Sequence, residues 1–262
     1  MKRRGQGILL EQLKRSSKAS RINKPDEAVQ TWIQFTRGNR TTLPSRFSRE
    51  DVRASENMLE HFINEFTEKG QVVFDPFAGF GTTLLVAEEM DRIGYGIEYS
   101  KSKADYVHGL LEHPERLIHG DSRKLLEYNL PPFDLCLTSP PYTNESDTEN
   151  PFVDYRQKGF DYPSYIQEMG NIFSQMAQKL YPSGHVVIEA SNLKKNGQVT
   201  TLAWDIAREV SKILHFEGET VIGWDRYGYG YNHSYCLVFS KVDLRSSARE
   251  KPKHKGHQGH EG

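Results

Sequence analysis

From Gln71 to Lys241, short apolar runs alternate with stretches whose apolar residues recur at helical spacing, the pattern of an α/β domain built on a mostly parallel sheet. Strands are predicted at QVVFDPF (71–77), IGYGIEY (93–99), RLIHG (116–120), FDLCLTS (133–139) and HVVIEAS (185–191). Helices are predicted between them, at TTLLVAEEM, SKSKADYVHGLLEH, SRKLLEYN and YPSYIQEMGNIFSQMAQKL, and again at TTLAWDIAREVSKILHF. Two further runs, GETVIGWD and SYCLVFSK, are separated by RYGYGYNH, which is too short for a crossover helix, so they pair antiparallel. The expected architecture is a seven-stranded, mostly parallel sheet with an antiparallel C-terminal hairpin and helices on both faces.

Upstream, EDVRASENMLEHFINEF (50–66) reads as one amphipathic helix leading into the first strand. The segment before it carries a short helix at GILLEQLKRSS and then irregular sequence. Residues 143–163 are polar and aromatic without period, a long loop of the kind that is functional or disordered. The chain therefore divides into a basic N-terminal extension (1–48), an α/β domain (49–243) with the 143–163 insertion, and a disordered tail (244–262). The tail histidines His254, His257 and His260 belong to that disorder, and no metal site is expected.

Composition narrows the class. Only 2 Cys among 262 residues exclude a disulfide framework or a cysteine-rich zinc site and fit a reducing compartment. No stretch approaches the roughly 18 consecutive apolar residues of a membrane span, and the start MKRRGQGILLEQLKRSS lacks the apolar core of a secretory signal. A cytoplasmic, membrane-free protein is expected. The formal net charge of -1 conceals an uneven distribution: net +8 over 1–53, -12 over 54–240 and +3 over 241–262. An acidic body with basic ends suits an anionic polymer gripped by the leader, because phosphate affinity comes largely from Lys and Arg.

Candidate chemistry gathers at the ends of the predicted strands. DPFAGFGTT (75–83) closes the first strand and opens a helix; Gly79 and Gly81 permit a tight turn and close approach of a ligand to helical N–H groups. Glu98 ends the second strand and Asp121 the third, which puts both carboxylates on the same rim. An acid at the end of the second strand accepts hydrogen bonds from ribose hydroxyls in doubly wound folds. Either could instead cap the following helix, and for Asp121 capping and ligand binding are equally compatible with its position. TSPPY (138–142) ends the fourth strand on that rim as well. Its prolines stop the ladder, Ser139 offers a hydroxyl, Pro140 a carbonyl and Tyr142 a flat ring. These can accept two hydrogen bonds from an exocyclic –NH2 and stack on the heterocycle that bears it.

DPFAGFGTT followed by SPPY resembles the paired motifs of the S-adenosylmethionine-dependent amino-methyltransferases, the DNA cytosine-N4 and adenine-N6 methyltransferases, over about Leu43 to Lys241. The resemblance implies a class I, Rossmann-like methyltransferase fold. It implies that Asp75, Phe77, Ala78, Gly79 and Gly81 line the methionine end of S-adenosylmethionine, that Glu98 holds the ribose, and that Asp121 with Ser122 holds the adenine edge. A further cofactor segment is matched loosely by TTLPSRFSRE (41–50). Ser139, Pro140, Pro141 and Tyr142 take the catalytic place, and Ser at the first motif position goes with cytosine N4 in that family. The implied partner is double-stranded DNA, with a restriction endonuclease as cognate enzyme; modification of rRNA or tRNA, or adenine N6 in DNA, are the alternatives. Ring-carbon methylation needs a thiolate nucleophile, and neither Cys136 nor Cys236 stands where one is required.

Overall fold

The computed structural model describes residues 31–241 apart from Arg37, so the GILLEQLKRSS helix and the tail lie outside the described residues. The described chain runs β1 (Trp32–Phe35), α1 (Glu56–Phe66), β2 (Val72–Asp75), α2 (Thr82–Glu89), β3 (Ile93–Glu98), α3 (Lys101–His108) and β4 (Leu117–His119). It continues with β5 (Phe133–Thr138), α4 (Tyr162–Lys179), β6 (Leu180–Ala190), β7 (Leu193–Lys195), β8 (Gln198–Thr200), α5 (Leu202–Val210), β9 (His215–Trp224) and β10 (His233–Ser240). Eight strands form one sheet in the order β1-β9-β10-β6-β5-β2-β3-β4. All neighbours are parallel except β10, which runs antiparallel to both β6 and β9.

Alternation along the strands divides the core into two layers. Phe74, Cys136, Val186, Ile188 and Leu237 face α4 and α5, while Val73, Leu135, Leu137, Val187 and Cys236 face α1 and α2. In α4 the buried Tyr165, Met169, Ile172, Phe173 and Met176 repeat at helical spacing, and Asp161 caps the helix by accepting from the Ser164 N–H at 2.8 Å. Among the described residues no helix is long and apolar enough to cross a membrane.

Four elements differ from the sequence expectation. The stretch read as irregular contributes β1, an eighth strand parallel to β9, with Ile33 and Phe35 half-buried and Phe35 packed on Trp224 and His61. Four alternating residues are too short a run to identify by period, and pairing with β9 decides them. The first helix begins at Glu56 rather than 50; residues 45–50 form a 3-10 turn whose Phe47 packs on Phe80 and Tyr106. The helix expected at 122–129 is a short kinked 3-10 turn. LKKNGQVT (193–200) forms an unanticipated hairpin, β7–β8, outside the main sheet.

The sheet reverses its winding beside β2: from there the chain steps outward to β3 and β4, then returns to place β5 on the other side. Such a reversal opens a crevice at the carboxyl ends of the two central strands.

Candidate active site

A cavity of about 620 Å³ fills that crevice. Its floor is tied together by Asp75 at the end of β2. One oxygen accepts from the Thr138 hydroxyl at 2.6 Å and the Phe77 N–H at 3.0 Å, and the other from the Thr83 hydroxyl at 2.8 Å. Asp75 therefore binds the ends of β2 and β5 to the start of α2, and burial raises its pKa. It lines the cavity, but its carboxylate is occupied by the scaffold.

The two motif glycines serve different needs. Gly79 (φ +55) lines the cavity, its N–H donates to Glu98 at 2.8 Å, and a Cβ there would meet nothing closer than 3.9 Å, so its bare face is open to a ligand. Gly81 (φ +73) does not reach the cavity: a Cβ would come within 2.4 Å of Val107, so glycine is required for α3 to pack against the start of α2. Gly81 thus stands at the packing contact between α2 and α3, while Gly79 stands on the cavity wall. Phe77 and Ala78 line the same cavity.

Glu98, buried at the end of β3, accepts from the N–H groups of Gly79 and of Ser100, the latter at 2.6 Å. Burial pushes its pKa up to about 7 in spite of those donors and of nearby Lys103. Each oxygen keeps lone-pair capacity toward the cavity. Asp121 both caps the following turn through the Arg123 N–H at 3.0 Å and pairs with the Arg123 guanidinium at 2.6 Å. The Ser122 hydroxyl donates to the Pro76 carbonyl. Both residues line the cavity, and capping and lining coexist at Asp121.

Ser139, Pro140, Pro141 and Tyr142 line the same cavity. Two neighbouring tyrosines clamp this turn: the Tyr165 hydroxyl donates to the Pro141 carbonyl at 3.0 Å, and the Tyr155 hydroxyl to the Tyr142 carbonyl at 2.7 Å. The Pro140 carbonyl accepts no bond from the described residues. Ser139 lies within hydrogen-bonding reach of the Tyr142 hydroxyl, which in turn donates to the Glu189 carbonyl at 3.3 Å. Both cysteines are buried and away from the cavity, and burial pushes their thiols well up, the reverse of an activated nucleophile.

Several lining residues had no readable motif. Trp224 stacks on Tyr227 at 5.9 Å, Tyr227 meets Tyr229 at 5.8 Å, and Tyr229 meets Tyr142 at 5.2 Å, an aromatic wall beside Ser139. Alternation of Tyr227, Tyr229 and Tyr231 hinted at it, although Tyr231 packs on His233 instead. Glu189, buried on β6, lines the same end and accepts from the Ser234 hydroxyl at 3.1 Å. The 143–163 loop both packs and covers. Phe152 stacks on Tyr165 in the core, while Asp154 and Tyr155, both left-handed, line the cavity, and Asp154 pairs with Lys103. The loosely matched segment 41–50 packs on Phe80, and residues 52–55 just beyond it reach the cavity. Of the described basic residues in the leader, Arg40 is paired with Glu56, Glu60 and Glu89, and Arg53 with Asp51.

This strand order, with an antiparallel penultimate position and a glycine turn at the switch point, is the class I S-adenosylmethionine-dependent methyltransferase fold, widened by β1. TrmN from Thermus thermophilus superposes with a TM-score of 0.54 at 16% identity, over 75% of this chain and 52% of that one, which establishes the fold alone. Within the fold, residues 6–108 match the N6/N4 family model described as DNA methylase. The type II methyltransferase M.BglII of Bacillus subtilis is 39% identical over 56 residues, 21% of this chain. M.HindIII of Haemophilus influenzae, also a type II methyltransferase, is 44% identical over 50 residues, 19% of this chain. Each match spans 16% of the relative's own length.

Proposed function

We propose that the protein transfers a methyl group from S-adenosylmethionine to the exocyclic N4 amine of a cytosine extruded from duplex DNA. The carrying observation is that Ser139, Pro140 and Tyr142 open onto the same cavity as Gly79 and Glu98. The bare face of Gly79 and the buried acceptor Glu98 fit a nucleoside cofactor, and Phe77, Ala78, Asp121 and Ser122 line the same cavity. When bound, the cofactor supplies an electrophilic methyl on a sulfonium.

The chain's own contribution is positioning. An exocyclic amine is a poor nucleophile because its lone pair is delocalised into the ring. Ser139 and the Pro140 carbonyl accept its two N–H bonds, which draws the nitrogen toward tetrahedral geometry and aims the lone pair out of the ring plane. The Tyr142 hydroxyl, within reach of Ser139, donates to the Glu189 carbonyl at 3.3 Å and is held on that side of the cavity. Tyr155 and Tyr165 hold the turn rigid from both sides. The Tyr142, Tyr229, Tyr227 and Trp224 rings form an apolar wall suited to stacking a flipped base. Transfer would form the N–C bond as the methyl–sulfur bond breaks, and the surplus proton of the now acidic nitrogen would leave through Ser139 or water.

Ser139, where adenine enzymes of the family typically carry Asp, supports cytosine N4. The test is mass spectrometry of nucleosides from DNA and RNA of cells expressing the protein. N4-methylcytosine in DNA is expected; N6-methyladenine in its place, or methylation confined to rRNA or tRNA, would overturn the reading.

A further inference from the structure

Three segments surround the Ser139 end of the cavity, and they differ in charge. The 143–163 loop is net -3, whereas the β7–β8 hairpin carries Lys194 and Lys195 and no acid, and the 225–232 turn carries Arg226 beside Asp225. Leu193, at the root of the hairpin, lines the cavity, while residues 194–199 are exposed. The hairpin is braced on both sides. The Lys194 N–H donates to the Tyr229 carbonyl at 2.9 Å, and Gly230 lies so close that a Cβ would approach the Lys194 side chain to 2.8 Å. On the other side Lys195 pairs with Asp147 at 2.8 Å, and Thr200 accepts from the Glu145 N–H at 3.2 Å. Asn196 (φ +51) and Gly197 (φ +80) make the left-handed two-residue turn that matches the twist of paired strands. Lys195 is thus neutralised, but Lys194 and Arg226 form no ion pair with the described residues.

An extruded nucleotide stays covalently joined to its neighbours, so the flanking backbone must cross the rim of the cavity that receives it. The acidic loop repels that backbone and the hairpin attracts it. We propose that the β7–β8 hairpin, braced by the 225–232 turn, holds the duplex DNA flanking the extruded base, with Lys194 and Arg226 pairing with phosphates. The inference rests on the DNA reading above.

Fluorescence anisotropy of the full chain with a labelled duplex, and with an RNA hairpin of matching sequence, tests it across salt concentrations. Losing one phosphate contact lowers the slope of log K against log salt by about 0.9, so Lys194→Ala should weaken duplex binding about eightfold at 0.1 M salt and about fourfold at 0.2 M. Lys194→Ala with Arg226→Ala should lower the slope by about twice as much. Lys69→Ala, before β2 at the opposite end of the sheet, should change nothing. Thermal melts and cofactor binding, unchanged in all variants, establish that each is folded. Duplex affinity and slope unchanged in the double variant would overturn the proposal, while wild-type methylation of DNA would leave the functional reading standing. Preference for the RNA hairpin, or wild-type methyl transfer to no DNA, would overturn both.

Discussion

The titration of Glu98 offers a sharp test of the cofactor assignment. Its carboxyl is buried among backbone donors with a pKa raised to about 7, so the apo cavity exchanges a proton near neutral pH. A ligand that donates hydroxyls to both oxygens needs the ionised form. Binding through Glu98 is therefore fully developed above pH 7 and is lost as pH falls through it. For one proton at that pKa, apparent affinity should drop about tenfold between pH 8 and pH 6. Glu98→Gln mimics the uncharged state and turns an –NH2 toward either the Gly79 or the Ser100 N–H, donor against donor. The loss of charge-assisted bonds of roughly 1.5–3 kcal/mol corresponds to about 10- to 150-fold weaker binding at pH 8. The variant should lack the Glu98 contribution to the pH dependence. Isothermal titration with S-adenosylhomocysteine from pH 6 to 8 measures both proteins, and the ratio of their affinities cancels the ligand's own titration. A ratio that stays constant over that range would refute the role of Glu98, whatever the absolute affinities.

Ser139→Ala removes one acceptor for the amine and should cut single-turnover methyl transfer about 10- to 150-fold, on the order of 1.5–3 kcal/mol, with cofactor affinity intact; weakened cofactor binding would contradict the assignment. Tyr142→Ala should likewise reduce transfer while leaving cofactor binding nearly intact, as read by the same two assays. Gly81→Ala drives a methyl into Val107 at a left-handed φ and should lower unfolding free energy by about 2 kcal/mol in urea titrations. Gly79→Ala should retain most stability but lose cofactor affinity, because its Cβ enters open cavity rather than a helix. Thr138→Val strands one bond to buried Asp75 and should destabilise by about 1–3 kcal/mol, with chemical denaturation as the readout.

Local pattern carried much of the fold. The strands at 71–77, 93–99, 133–139 and 185–191, and helix 162–179, follow from period and capping, because each buries a face that its own side chains define. DPFAGFGTT and SPPY were legible for the same reason: glycine and proline act on their own backbone, whatever surrounds them. Asn-Gly at 196–197 was equally local and signals the β7–β8 turn, although the strands of three residues that flank it are too short to stand out by period.

What the tertiary structure decided is which residues share a cavity and which do not. The rim positions of Glu98, Asp121 and Ser139 follow from sequence, since a strand end is a local property. That Glu98 is buried enough to titrate near 7, that Asp75 is consumed by Thr138 and Thr83, and that Gly81 serves helix packing depend on neighbours distant in the chain. Trp224, Tyr227, Tyr229 and Glu189 join Ser139 only because antiparallel β10, paired with β6, brings β9 and the turn between β9 and β10 to the same rim as the end of β5. Sequence determines what a residue can do; desolvation and partners, which exist only after folding, determine which of those things it does.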